Sequence, residues 1–235
     1  MTNQIKNIKE NHNPENTKKL DFFSDHNKNE LKENEQLSLL DNVQFIYELS
    51  LAQLELQSLE VYFEMTNSLR NFKLIETQND DDLLKKLAYF KSVKGNLTYY
   101  YQIIQKNRTR SVNQYLTHWI YPYKGKFHPQ MIRALLNIIG LEQGDTVLDP
   151  YIGSGTTALE AQLLGINCIG IDVSPLCVIQ SKVKTESIDV FSEILEWKDE
   201  IIKNIESSLF NMNGNTIDNT INLIPNERVR NFYKM

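Results

Sequence analysis

The sequence predicts an α/β fold preceded by an α-helical region, and three observations predict it. The stretch "DTVLDPYIGSGTTALEAQLLGINCIGID" runs from a short apolar segment through a glycine-rich turn and a helical segment to a second apolar segment, the pattern of one βαβ unit. Residues 37–70 carry apolar side chains at helical spacing. With 41% hydrophobic residues, a chain of 235 can bury a sizeable core in one or two domains.

Residues 1–36 are rich in Asn, Lys and Glu and hold few apolar side chains to offset the entropy of ordering, so a disordered polar arm is expected there. From Leu37 on, Val43, Ile46, Tyr47, Leu51, Leu54, Val61, Tyr62, Met65 and Leu69 predict one long amphipathic helix ending near Arg70. A stripe that broad packs most simply against its own domain. The acidic cluster Asp80–Asp82 suits the start of a second helix. Together these make 37–116 a helical, partly basic region.

A core over 117–185 follows. A helix from about Pro129 to Ile139 has Pro in its first turn and Gly140 as its stop. Next come a strand Thr146–Leu148, the glycine loop, a helix Thr156–Leu164 stopped by Gly165, and a strand Cys168–Ile171. Ser174 and Pro175 read as the N-cap and first position of another helix. In the extension 186–235, Phe191, Ile194, Leu195, Ile201, Ile202, Ile205 and Leu209 mark an amphipathic helix. "NMNGNTIDNTINLIP" reads as a polar loop, with no further strong strand after it.

No apolar run approaches the twenty or so residues of a membrane span, and the polar N-terminus lacks the apolar core of a secretory signal, so the expectation is a cytoplasmic protein with no membrane partner. Cys168 and Cys177 lack metal-ligand or disulfide spacing and read as core thiols, with no metal site. The net charge of −5 is unevenly spread. Between Asp82 and Glu142 there is no acid, and ten Lys and Arg give that interval about +10 while the rest of the chain carries about −15. Lys106, Arg108, Arg110, Lys124 and Lys126, interleaved with Tyr99, Tyr100, Tyr101, Tyr115, Trp119, Tyr121 and Tyr123, suit tracking of a nucleic-acid backbone and stacking of bases. They equally suit a hydrophobic core edge with a solvated basic face, or an interface for an acidic partner. Tyr121 and Tyr123 read as packing or DNA-facing, and His118 carries no assigned role.

Gly153-Ser154-Gly155-Thr156-Thr157-Ala158 fits three kinds of ligand loop. A P-loop needs a Lys directly before its Ser/Thr, and none stands there. A dinucleotide site needs an acid about twenty residues on for the ribose, which Asp172 supplies. Asp149 discriminates: at the end of the first strand it would repel a pyrophosphate but attract a ligand carrying an ammonium and a sulfonium, such as S-adenosylmethionine. The glycines would let the backbone pass close to that ligand, with Asp149 facing its ammonium and Asp172 its ribose hydroxyls.

"FHPQMIRALLNIIGLEQGDTVLDPYIGSGTTALEAQLLGINCIGIDVSP" resembles the cofactor half of DNA amino-methyltransferases, which modify adenine N6 or cytosine N4. The resemblance covers about residues 117–185 and rests on three elements in order: Phe127-His128-Pro129, "DPYIGSGTT" and "GIDVSP". It implies a partial Rossmann-like S-adenosylmethionine-dependent fold, with Phe127, His128, Asp149, Pro150, Tyr151, Gly153, Gly155, Thr156, Asp172 and Val173 lining the cofactor site, and restriction-modification or a related defence system as the setting. tRNA guanine-N2 methyltransferases share similar motifs and amino-group chemistry and usually add an RNA-binding domain, which is not recognised here.

The family's catalytic element, Asp/Asn/Ser-Pro-Pro followed by an aromatic residue, accepts the amine protons and stacks on the flipped base. None of the six prolines, at 14, 122, 129, 150, 175 and 225, adjoins another, so that element is absent and the catalytic residues are unknown. A half-built sheet has an open edge and an uncovered face, and a second polypeptide carrying the catalytic half is therefore expected, with DNA as the further partner. A non-catalytic interaction module retaining the fold is the remaining alternative.

Overall fold

β1 (Gln36–Leu39) sends Leu37 and Leu39 to one face and Gln36 and Ser38 to the other, and the first sheet is built around it. The computed structural model of the protein describes residues 35–66, 69–106, 113–211 and 215–235. The arm predicted over 1–36 lies outside these residues except for its end, where Gln36 already opens β1.

After β1 come α1 (Ile46–Ser58), β2 (Tyr62–Met65), β3 (Asn71–Glu76), α2 (Asp80–Lys86), β4 (Phe90–Val93) and β5 (Asn96–Leu97). All pairings are antiparallel, in the order β2-β3-β1-β4-β5. The succession β1-α1-β2-β3-α2-β4, with β1 between β3 and β4, is a split βαβ arrangement of the ferredoxin-like kind. β5 is added through Lys94-Gly95, both at positive φ (51° and 81°), as a two-residue type I′ hairpin turn requires. Leu37, Phe72, Leu74, Phe90 and Val93 pack with Ala52 and Leu56 of α1 and Leu83 of α2. Phe72 meets both Phe63 and Phe90 edge-on, with ring centroids 5.5 Å apart.

The α/β class therefore holds, but the single helix expected to reach Arg70 does not form. α1 stops after Ser58 because Glu60 turns left-handed (φ 54°) while the Glu60 and Val61 amides donate back to the carbonyls of Gln57 and Leu56. This is a Schellman stop made without glycine. The apolar residues beyond it, Val61, Phe63 and Phe72, belong to the sheet's own core or pack against it. The second helix starts where the acidic cluster predicts, with the Asn79 side chain accepting from the Asp81 and Asp82 amides.

α3 (Tyr99–Gln105), a 3₁₀ turn (Leu116–Trp119) and α4 (Pro129–Ile138) lead to β6 (Thr146–Asp149), α5 (Thr156–Leu163), β7 (Asn167–Gly170) and α6 (Pro175–Glu186). β6 and β7 pair in parallel, Thr146 opposite Asn167 through Asp149 opposite Gly170. Ile132, Leu136, Ala161 and Ile166 pack under one face of this pair, with Val147 and Cys168. On the other face Leu148 and Ile169 stand side by side at 58% and 56% exposure, followed by Ile171 at 53%. Among the described residues this sheet has only these two strands.

α7 (Phe191–Asn211), α8 (Asn215–Leu223) and α9 (Glu227–Lys234) complete the chain. α8 occupies the stretch that reads as a polar loop. Ile217, Ile221 and Ile224 recur at helical spacing and close a small core with Ile194, Ile201 and Val229. The polar residues Asp218, Asn219, Thr220 and Asn222 between them hide that pattern. Among the described residues no helix is long and apolar enough to cross a membrane.

A seam of buried polar side chains joins the two sheets through α4. Gln130 accepts from Asn42 and donates to the Ala88 carbonyl, and Arg133 donates to the carbonyls of Lys85 and Lys86. Asn137 donates to Glu55 at 2.7 Å. Glu55, fully buried on α1, also accepts from the Ala88 amide at 2.8 Å. Burial pushes its carboxyl from 4.5 up to about 7, outweighing these hydrogen bonds and the charge of Arg133. A raised carboxyl holds its proton more tightly folded than unfolded, so its contribution to stability is complete below pH 4.5 and is lost as pH rises through about 7. The loss amounts to about 3 kcal/mol. Glu55→Gln is expected to flatten the pH dependence of denaturant-derived stability across that window; an unchanged slope would remove the assignment.

Candidate functional site

β6 ends at Asp149 and β7 runs out at Gly170, so their carboxyl ends bring Asp149 and Asp172 to the same edge of the pair. Ligands of open α/β sheets bind at that edge. Between them the chain turns through Gly153 (φ 51°) and Gly155 (φ 82°) into α5. Gly155 has two reasons to be glycine. Its backbone is left-handed, and a Cβ would lie 2.8 Å from Cα of Ser181 on α6. Ser181 Oγ donates to the Gly153 carbonyl at 3.1 Å, binding α6 to the loop.

The two carboxylates do different local work. Asp149 Oδ1 accepts from the Tyr151 amide at 3.0 Å, forming a tight turn at the strand end. Asp172 Oδ1 accepts from the Ser174 amide at 2.8 Å and Oδ2 from the Gly153 amide at 2.9 Å, and these bonds hold its carboxyl below the usual range. Asp172 thus ties the second strand to the glycine loop, and a carboxylate's further lone pairs remain for ligand hydroxyls. Thr156 is buried at the first turn of α5, while Tyr151 and Val173 are exposed at 84% and 100%. Pro150 lies between Asp149 and Tyr151 in the same turn.

Tyr123, read from the sequence as a packing or DNA-facing residue, lies against the loop itself. A Cβ on Gly153 would be 3.4 Å from its ring, and its hydroxyl stands 3.9 Å from Cys177 Sγ on α6. Phe127 and His128 lead into α4 with exposed side chains, and His128 Nδ1 pairs with Asn113 at 2.9 Å. Among the described residues no hydrogen bond joins His128 to the loop. Cys168 sits beside Asp149; burial first and that charge second push its thiol up to about 11, which fits an inert core cysteine.

The basic residues divide. Lys106 and Lys124 are exposed, and Arg108 and Arg110 lie outside the described residues. Lys126 turns inward, donating to the carbonyls of Asn113 and His118 at 2.9 and 3.0 Å, with burial and the charge of Lys184 lowering its amine to about 8. A lysine held this way pins the chain rather than facing a phosphate.

Sequence reasoning passes over the group beneath this segment. Glu160, wholly buried on α5, accepts from the Tyr115 hydroxyl, pairs with His118 Nε2 at 2.8 Å and faces Arg133 Nη1 at 3.5 Å. Burial lowers the His118 imidazole, against the pull of Glu160. A charged residue inside a helical run was the only signal, and alone it reads as surface.

A family model described as DNA methylase matches residues 2–183, well over half of the chain and far beyond the segment that carries the resemblance. The chain belongs to the DNA methylase family. It is 42% identical over 86 residues to the type II methyltransferase M.MjaII of Methanocaldococcus jannaschii, covering 37% of this chain and 15% of that protein. To the type II methyltransferase M.BsoBI of Geobacillus stearothermophilus it is 43% identical over 93 residues, 40% and 18% of the two chains. A tRNA (guanine(10)-N2)-dimethyltransferase of Methanocaldococcus jannaschii is 27% identical over 117 residues, 50% of this chain and 31% of that one. The chain thus matches less than a fifth of the length of these two type II relatives. The family implies S-adenosylmethionine as methyl donor, and two carboxylates at one edge of the sheet are a donor set compatible with a cationic, hydroxyl-bearing ligand.

Two substitutions test this DNA methylase geometry. Gly155→Ala is expected to cost roughly 3 kcal/mol or more in denaturant unfolding, since strain adds to a backbone collision. Gly140→Ala, also left-handed (φ 74°) but with nothing within 4 Å, should cost only about 1 kcal/mol. Equal costs would show that α6 does not press on the loop. Lys184, 2% exposed with no hydrogen-bond partner for Nζ among the described residues, is lowered to about 8 by burial. Lys184→Met should therefore stabilise by about 1–2 kcal/mol at neutral pH. The gain should shrink as pH rises from 8 toward 10.5, because the buried amine sheds its proton before the unfolded one does. A destabilised Met variant would refute this reading.

Proposed function

We propose that the protein is the cofactor-binding part of an S-adenosylmethionine-dependent methyltransferase acting on an exocyclic amino group of DNA, adenine N6 or cytosine N4, in a restriction-modification or related setting. The observation that carries this reading is the placement of Asp149 and Asp172 at the carboxyl ends of adjacent parallel strands, on either side of a left-handed glycine loop. Asp149 pairs with the methionine ammonium, Asp172 takes ribose hydroxyls, and Pro150, Tyr151, Gly153, Gly155, Thr156 and Val173 shape the walls. Phe127 and His128 close the methionine side. When bound, the cofactor supplies an electrophilic methyl group on its sulfonium.

The catalytic half belongs to a second polypeptide. Two features support this: the absence of a Pro-Pro-aromatic element from residues 1–235, and a sheet that among the described residues has two strands with unpaired outer edges and exposes Leu148, Ile169 and Ile171. In this reading 117–185 is the cofactor unit, and 37–116 and 186–235 flank it. The tRNA dimethyltransferase match favours a second reading, in which an RNA guanine amine is the acceptor.

Calorimetric titration of the chain with S-adenosylmethionine tests the cofactor assignment. Binding is expected, weakened by about tenfold or more in Asp149→Ala, as loss of a charged hydrogen-bond partner implies. Binding of equal strength in that variant would sink the role of Asp149. Methyl transfer to duplex DNA and to tRNA, measured with and without the candidate partner, separates the acceptors. Full activity of the monomeric chain alone would remove the partner.

A further inference from the structure

A second concavity lies away from the glycine loop. It is a cleft of about 580 Å³ between α2 and α3 on one wall and the carboxyl ends of α4 and α5 on the other, within the size range of small-ligand sites. The glycine loop is at the amino end of α5 and the cleft at its carboxyl end, so the eight-residue helix separates them by about 12 Å.

The chemistry of the two walls differs. Tyr99 opens α3 and Lys106 caps its end, seven residues on and on the same side, and Lys85 joins them from α2. Other cations of the cleft are engaged: Lys86 by Asp82 and Glu142 at 3.0 and 2.9 Å, and Arg133 by backbone carbonyls and Glu160. Lys85 and Lys106 are exposed and, among the described residues, have no ion-pair partner. Tyr99 is 49% exposed. Facing them, Leu141, Leu163 and Leu164 give an apolar floor, and the ends of α4 and α5 carry partial negative charge that disfavours an anion and favours N–H donors.

We propose that this cleft binds a nucleotide, with phosphate between Lys85 and Lys106, the base against Tyr99, and its N–H donors toward the helix ends. Only a ligand that combines an anion, a flat ring and donor groups uses both walls. The same chemistry is presented by a free mononucleotide and by one residue of a single strand. The site stands apart from the cofactor proposal and does not depend on it.

Calorimetric titration of the full chain with AMP and with a five-nucleotide single-stranded DNA tests it. Binding of at least one probe is expected, reduced about tenfold or more in Tyr99→Ala, the scale of one lost stacking contact. The double variant Lys85→Glu/Lys106→Glu should weaken it similarly and lower its salt dependence. All three side chains are exposed, and far-ultraviolet circular dichroism checks the fold. AMP binding as tight as the strand identifies a free nucleotide; binding of the strand alone identifies a strand contact. No binding of either probe, or unchanged binding in both variants, overturns the proposal. So does AMP binding lost in Asp149→Ala or under saturating S-adenosylmethionine, which would place the nucleotide at the glycine loop.

Discussion

Glu160 is a carboxylate with no exposed atom, and the arrangement of the molecule's middle follows from the groups gathered around it. Burying such a group costs several kcal/mol unless partners surround it. Its partners come from separate places: Tyr115 and His118 from the 3₁₀ turn and its approach, Arg133 from α4. Arg133 then holds the carbonyls of Lys85 and Lys86 at the end of α2. One carboxylate therefore sets the positions of α2, α4, α5 and the connecting turn together. The segment leaving that turn, fixed by Lys126 on the His118 carbonyl, is what lays Tyr123 across the glycine loop.

The loop is held from both sides by different means. Asp172 fixes it through hydrogen bonds to backbone amides, and α6 fixes it by contact so close that only a glycine fits. Rigid backbone near a ligand lowers the ordering cost of binding. The exposed faces of Tyr151 and Val173 contrast with this rigidity. They add apolar surface just beyond the strands that carry Leu148 and Ile169, so the loop edge and the exposed sheet face adjoin.

The βαβ unit was legible because its signals are local. Gly155, Gly165 and Pro175 each act on their own neighbours, and the strands between them are short apolar runs. The first sheet was not, since a helix stop at Glu60 has no sequence mark when a residue other than glycine takes the left-handed position. Apolar residues on both sides of that stop then read as one stripe. The site shows the same division. Asp149 and Asp172 follow from their distance to the loop, whereas Tyr123 reaches it only through a chain path fixed by Glu160 and Lys126. Lys126 points inward where its charge alone suggests a surface role, because a sequence gives charge but not the direction of a flexible side chain. α8 was hidden by its polarity, which only a neighbouring helix surface makes tolerable.

Among the described residues the outer edges of β6 and β7 are unpaired, and each presents amide and carbonyl groups that an extended segment can join. Leu148 and Ile169 stand on the face between those edges, so a segment that widens the sheet by a strand also widens the apolar face they belong to. Backbone pairing at the edge and burial of the face are therefore coupled: whatever lengthens the sheet enlarges the surface that a covering layer must hide.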